Sequence, residues 1–322
     1  MKKIGIFCGG FSSEYEISIK SATTILNNFP DGYDVFLIVV SKDNWIARYQ
    51  DEECLIDLNS LSFQFQQKSI QLDYGIVYIH GDPGENGKIQ AFLEMKGIPC
   101  INSGALASEL SFDKWYCNEF LNGFDIAVAK SIFMTNKNQF SNEHILSELG
   151  LPIFVKPSDS GSSYGISKVK KAEELTNAID FAFNEGKTVL LEAFLDGTEV
   201  TCGVYRNKDG VQALPLTEIA TENDFFDYEA KYNGKADEIT PARVSDEIRD
   251  AVQEKAKFIY QLLQLKSIAR IDFMVVNNIP YVIEVNTTPG FAPASIAPQM
   301  ISCAGKSIKE FWTEIIEEEL KN

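Results

Sequence analysis

Apolar residues in this chain fall into short unbroken runs separated by stretches where they recur every three or four positions. Residues 4–8 form such a run, closed by Gly9-Gly10, and helical spacing follows at Ile17, Ala22, Ile25 and Leu26. A short apolar run reads as a buried strand and a 3.6-residue period as an amphipathic helix, so the order predicted is strand, glycine turn, helix. Ser13 and Glu16 have capping-box spacing, which puts the expected helix start there. Runs at 35–40 and 76–79, then a helix from about 88 to 96, continue the alternation. That pattern predicts a parallel sheet flanked by helices, with functional loops at the strand ends.

After Ser103-Gly104 the pattern changes. A helix is expected over about 106–121, followed by apolar segments at 126–134 and 153–156, a glycine-serine loop and a strand at 188–193. The last third has an apolar run at 200–205 and a polar, aromatic-rich stretch at 221–241. Next comes a helix carrying Ile248, Val252, Ile259, Leu262 and Leu263 on one face. The β-like segments 268–276 and 279–285 meet at Asn277-Asn278, a hairpin signal. Ile308, Phe311 and Ile315 place a closing helix on one apolar face. The sequence carries no internal repeat, low-complexity segment or flexible linker.

With 322 residues, the chain is long enough for two or three domains, and 45% hydrophobic residues supply a core. Its net charge of -17, from 46 acidic and 29 basic residues, argues against nucleic acid or an anionic membrane as partner, because phosphate-rich surfaces need a basic one. A nucleotide can still bind where a few lysines and arginines converge with a divalent cation. The six cysteines are scattered, without a CxxC pair, and read as free thiols of a reducing compartment. No signal-peptide core and no run of about 18 apolar residues is present, so the expected location is the cytoplasm.

Three segments could carry chemistry. On a strand, side chains two apart share a face, so Arg270 points with Asp272 and Glu284 with Asn286. If the two strands pair, two carboxylates and an amide oxygen meet beside a guanidinium, a hard-oxygen set suited to Mg²⁺. A solvated polar face of an amphipathic hairpin would look similar, but Ile271, Phe273, Ile283 and Val285 are expected on the opposite, buried face. The second segment, residues 156–165, follows Lys156 with small residues whose N–H groups can approach phosphate oxygens. Taken alone it leaves a plain loop equally open. It lacks the GK[ST] ending of a Walker A loop, and Gly9-Gly10 does not complete G-x-G-x-x-G. The third is residues 80–87, where His80 directly follows a strand and can donate to phosphate or carboxylate oxygens, or serve only structurally.

Taken together, these segments resemble the D-alanine–D-alanine ligases of the ATP-grasp superfamily, from residue 4 to about residue 300. The landmarks occur in order: Gly9 through Glu14, His80 through Gly87, Asp113-Lys114-Trp115, Lys156 through Gly165, and Leu191-Glu192 with Glu199. Then come Tyr228 through Tyr232, Arg270-Ile271-Asp272, and Glu284 through Gly290 with Ser295. The resemblance implies an α/β fold with α+β elements in three domains: a Rossmann-like domain over 1–103, a central ATP-grasp domain over 104–192, and a catalytic domain over 193–322. A lid would span 221–241, and ATP would lie between two sheets. The implied reaction phosphorylates the carboxylate of one D-alanine with ATP, after which the amine of a second D-alanine attacks the acyl phosphate.

By position, the resemblance gives Asp272, Glu284 and Asn286 two Mg²⁺ ions, replaceable by Mn²⁺, and gives Lys114, Lys156 and Lys231 the ATP phosphates. Glu192, Phe194, Leu195 and Glu199 would line the adenine and ribose pocket. Arg270 and the Gly290 N–H would stabilise the oxyanion. Glu14 would hold the first ammonium, with His80 near that substrate's carboxylate, and Ser162 and Tyr232 would join Glu14 in closing the lid. Ser295 would bind the second carboxylate. Tyr232 also points to the dipeptide, since relatives that use D-lactate commonly carry phenylalanine there. Asn86, Ala292 and Tyr164 depart from the family's usual aspartate, threonine and small aliphatic residue. Family members are usually dimers. The alternatives are an ATP-grasp ligase with D-lactate or D-serine as acceptor and a nucleotide-binding regulator without catalysis.

Overall fold

The computed structural model of the chain describes residues 1–159, 165–221 and 236–321. The N-terminal part runs β1 (Lys2–Gly9), α1 (Tyr15–Asn27), β2 (Tyr33–Val40), β3 (Trp45–Tyr49), β4 (Glu52–Leu55), β5 (Ser62–Phe65), β6 (Lys68–Gln71), β7 (Tyr74–Val77) and α2 (Lys88–Met95). Its sheet has the order β4-β3-β2-β1-β7. β1 is parallel to β2 and β7, whereas β3 and β4 add antiparallel. The expected parallel sheet is therefore mixed. The antiparallel flank escaped notice because its strands are short and half-exposed, without the continuous apolar runs of strands buried on both faces.

The capping box expected at Ser13 and Glu16 does not form. α1 starts at Tyr15 with Glu14 as its N-cap and no side-chain cap bond. Ser12 organises the turn instead: its hydroxyl donates to the His80 carbonyl (2.7 Å) and accepts from the Glu14 N–H (3.2 Å).

The central part comprises α3 (Ala105–Phe112), α4 (Lys114–Asn122), β8 (Ser131–Met134), α5 (Asn142–Leu149), β9 (Ile153–Pro157), β10 (Ser167–Val169), α6 (Leu175–Glu185) and β11 (Val189–Ala193). Two helices replace the single one expected over 106–121. The break is Asp113, whose extended backbone leaves the helix and whose carboxylate accepts from the Trp115 and Tyr116 N–H groups (3.1 and 3.2 Å). Apolar periodicity runs through such a cap because both helices use the same core. The antiparallel sheet β10-β9-β11-β8 turns Ile153, Val155 and Leu191 onto α6 residues Leu175 and Ile179, leaving its other face free for polar groups.

The C-terminal part is β12 (Thr198–Asn207), β13 (Gly210–Ala213), β14 (Thr217–Thr221), β15 (Ala236–Ile239), α7 (Asp246–Leu262), β16 (Ile268–Val276), β17 (Ile279–Asn286), α8 (Ile296–Cys303) and α9 (Ile308–Glu319). Its sheet runs β15-β14-β12-β16-β17, with β13 on β12. α7 buries Val252, Ala256 and Ile259 against Val200, Cys202, Ile271 and Phe273. The hairpin predicted at Asn277-Asn278 forms, with φ of 49° and 64°, the doubly left-handed geometry of a type I′ turn. One core joins Ile4 and Ile76 of the first sheet, and Tyr78 just after it, to Ile268, Phe291 and the α9 residues Phe311 and Trp312. Among the described residues no helix is long and apolar enough to cross a membrane.

Candidate active site

The loops after β1 and β7 leave adjacent parallel strands at the same sheet end, where open α/β sheets bind ligands. Gly10 holds them together. It has φ of 102°, and a Cβ there would lie 2.4 Å from Ile79 Cγ2, so a larger residue would push the loops apart. Phe11 N–H then donates to the Asp82 carbonyl at 2.8 Å. This brings Glu14 and His80 to one cavity wall. His80 is buried, with Nε2 3.2 Å from Ser21 Oγ. The same Ser21 Oγ accepts from the Phe291 N–H at 3.2 Å, and Tyr78 Oη donates to the Pro289 carbonyl at 2.9 Å. Two hydroxyls thus fix the loop of Gly290 beside His80 across more than half the chain. Burial pulls the imidazole pKa below its usual 6.5; Glu14 and a hydrogen bond with the Thr288 backbone oppose this, and Arg270 adds to it.

Lys114 and Lys156 come from neighbouring elements tied end to end. Lys114 N–H donates to the Ser158 carbonyl at 3.0 Å, and Ser158 Oγ donates to Asp113 at 2.5 Å. Strand alternation puts Lys156 on the polar face of its sheet with Glu192, and the two form a buried ion pair of 2.5 Å. Asn118 Nδ2 donates to the other Glu192 oxygen at 3.3 Å. Phe194, Leu195 and Glu199 continue this wall as the chain passes into β12.

The hairpin supplies the opposite wall. Asp272 pairs with Glu284 across β16 and β17, and Arg270 with Asn286. The Arg270 guanidinium grips Asp272 through Nε (2.9 Å) and Nη2 (2.8 Å), Thr201 Oγ1 donates to Asp272 at 2.5 Å, and Asn286 Nδ2 lies 3.1 Å from Asp272 and 3.5 Å from Glu284. Lys114 Nζ reaches Glu284 at 3.5 Å, which joins this wall to the previous one. Burial disfavours the charge on Arg270, but Asp272, Glu284 and Glu238 more than offset it and hold the guanidinium protonated.

One expectation fails here. Ile283 was expected on the buried face, yet the register shifts after Asp272 so that Phe273 faces Val282. Ile283 is the extra residue of a β-bulge and lines the cavity, while Val282 and Val285, three apart, both reach the core.

Asp272, Glu284 and Asn286 fit a hard divalent cation by the chemistry of their donors: two carboxylates and an amide within hydrogen-bond reach of one another. The amide faces the carboxylates with its nitrogen, and a half-turn about its last bond would present the oxygen. Among the described residues no three His, Cys, Asp or Glu side chains gather closely enough to hold a metal by themselves. Mg²⁺ needs no such cage, since it takes one or two carboxylates and completes its shell with phosphate and water.

Every candidate residue among those described lines one cavity of about 820 Å³, Gly290 and Ser295 included. Ser162, Lys231 and Tyr232 lie outside the described residues, as does Tyr164. Sequence reasoning passed over Ser21, one of three hydroxyl residues with Ser18 and Thr24 on the buried side of α1, and Thr201, which pairs with Asp272 on the cavity face of β12. It also passed over three carboxylates on the cavity wall, Glu85, Glu218 and Glu238. Burial, with Glu14 and Glu284 nearby, pushes the Glu85 carboxyl up to about 8 against the opposing Gly81 N–H and Lys114.

The family models for the D-ala D-ala ligase N-terminus and C-terminus match residues 3–103 and 120–317. A D-alanine–D-alanine ligase of Parabacteroides distasonis is 43% identical over 324 residues, covering 100% of this chain and 98% of that protein. Among solved structures, the VanG D-Ala:D-Ser ligase of Enterococcus faecalis superimposes with a TM-score of 0.89 at 30% identity, covering 99% of each chain. The D-alanine–D-alanine ligase of Bacillus anthracis, complexed with ATP, does so with a TM-score of 0.79 at 26% identity, covering 100% of this chain and 98% of that one. Two family models that together span most of the chain, and a full-length relative at this identity, place it in the D-alanine–D-alanine ligase family, with the ATP-grasp fold.

Proposed function

We propose that this chain is an ATP- and Mg²⁺-dependent ligase that condenses two D-alanine molecules to D-alanyl-D-alanine for peptidoglycan synthesis, releasing ADP and phosphate. It works in the cytoplasm as a homodimer, and its domains span 1–103, 104–192 and 193–322, with a lid over 221–241. What supports this reading most is the convergence of Lys114 and Lys156 with Arg270, Asp272, Glu284 and Asn286 on one cavity, from segments far apart in sequence. Phosphoryl transfer between two anions demands cations at the transferring group and positioning of both partners.

Glu14 holds the ammonium of the first D-alanine, and His80 lies near its carboxylate. Lys114, Lys156 and Lys231 hold the ATP phosphates, the first two exchanging their bonds to Glu284 and Glu192 for phosphate oxygens. Glu192, Phe194, Leu195 and Glu199 surround the adenine and ribose. Bound by Asp272, Glu284 and Asn286, Mg²⁺ supplies positive charge to the phosphate oxygens. Arg270 and the Gly290 N–H face the oxygen that turns negative when the second amine attacks the acyl phosphate; one such donor contributes about 3–4 kcal/mol to lowering the barrier. Ser162 and Tyr232 close the lid with Glu14 and exclude water from the acyl phosphate. Ser295 takes the second carboxylate.

A second reading, with D-serine as acceptor, is favoured by the likeness to the Enterococcus ligase. Phosphate release from ATP and Mg²⁺, measured with D-alanine, L-alanine, D-lactate and D-serine singly and in pairs, separates the two. D-Alanine alone is expected to suffice. A requirement for D-serine beside it would establish the second reading, and no release with any D-alanine mixture would end both.

A further inference from the structure

In the reaction proposed above, only the carboxylate of the second amino acid has a partner. A zwitterion also carries an ammonium close by, and a site poor in water must meet that charge with an anion. Ser295 is the N-cap of α8, and its hydroxyl makes no cap bond, so the hydroxyl and the free N–H groups of that helix end together suit a carboxylate. Gln299 lies four residues further along, on the same helix face. Its Nε2 donates to the Ala294 carbonyl at 3.1 Å and to Glu238 Oε2 at 2.9 Å, which carries the Glu238 carboxylate from β15 across to the start of α8. Glu238 lines the cavity with Arg270, Gly290 and Ser295.

Four carboxylates of this cavity are matched by cations: Asp272 by Arg270, Glu284 by Lys114, Glu192 by Lys156 and Glu218 by Arg243. Among the described residues Glu238 has no such ion pair; its partner is a neutral amide. Burial pushes its carboxyl up, opposed by Gln299 and by the field of Arg270.

We infer that Glu238, held by Gln299, is the specificity residue for the second substrate: its carboxylate takes hydrogen bonds from the incoming ammonium while Ser295 and the α8 N-terminus take the carboxylate. The inference rests on the ligase reading and deepens it. An amino acid acceptor, D-alanine or D-serine, pairs with Glu238, whereas a 2-hydroxy acid such as D-lactate leaves it half-buried without a cation. The site therefore reads the amine and not the side chain.

The test supplies equimolar D-alanine and D-lactate with ATP and Mg²⁺ and measures the ratio of amide to ester product. Glu238→Gln keeps the shape and the bond with Gln299 but removes the charge. Its ratio should fall about 10–100-fold, the loss expected for one charge-assisted hydrogen bond. ATP affinity and the thermal midpoint should stay near wild type, which shows the variant folded. Glu238→Asp, which keeps the charge, should recover a ratio above that of E238Q; a ratio no better overturns the assignment. An unchanged ratio in E238Q, in a protein whose wild type makes the dipeptide, overturns Glu238 alone. A wild type that makes no dipeptide overturns the ligase reading and this assignment with it.

Discussion

His80 shows how one buried side chain links the site to the stability of the fold. Burial lowers its pKa, so between that value and 6.5 the folded state binds fewer protons than the unfolded one. Stability held above pH 6.5 is therefore lost as the pH falls through the depressed value. Urea midpoints should drop between pH 7.5 and 5.5, and His80→Gln, which cannot charge, should drop less. Equal slopes for the two proteins would remove His80 as a source of the loss. The residue was legible in the sequence because it follows a strand and precedes a glycine-rich turn. Its partner Ser21 was not. A hydroxyl in a helix is unremarkable until the fold sets it between His80 and the Phe291 N–H.

Local patterns at the scale of elements were read correctly where chemistry within a few residues decides the outcome. Asn277-Asn278 is the clearest case, since asparagine tolerates the left-handed backbone that a two-residue hairpin needs. The capping signature S-x-x-E shows the limit. It occurs at Ser13 and again at Ser307, and only the second forms, with Ser307 Oγ accepting from the Glu310 N–H at 3.2 Å and Glu310 accepting from the Ser307 N–H at 2.8 Å. The first yields to the tertiary bonds of Ser12. Asp113 combines both lessons, capping α4 while tying it to Ser158. Asp113→Ala should cost about 1–2 kcal/mol in urea denaturation, the loss of a helix cap and a bond. It should also weaken nucleotide binding, because Lys114 is the first residue of the freed helix. Unchanged nucleotide affinity at reduced stability would show that the clamp does not position Lys114.

For the whole molecule, the closing helix is the piece that unites distant parts. Trp312 is fully buried, with ring centroids 6.3 Å from Tyr78 of the N-terminal part and 5.4 Å from Phe291 of the C-terminal part. Trp312→Ala should cost about 3–5 kcal/mol, the loss for an aromatic emptied from a packed core. A loss under about 1 kcal/mol by urea titration would mean that the two parts hold together without it.

The chain's own order of residues was enough for the longer apolar strands and amphipathic helices, the hairpin turn and the shared polar face of Arg270, Asp272, Glu284 and Asn286, because periodicity and turn chemistry act over a few residues. Which strands became neighbours, the bulge at Ile283, the ring of bonds around Ser21, and the approach of Glu238 to Gln299 were decided only by tertiary packing. Each depends on contacts between groups tens to hundreds of positions apart, and no short-range pattern in a linear chain encodes which distant partner a side chain will meet.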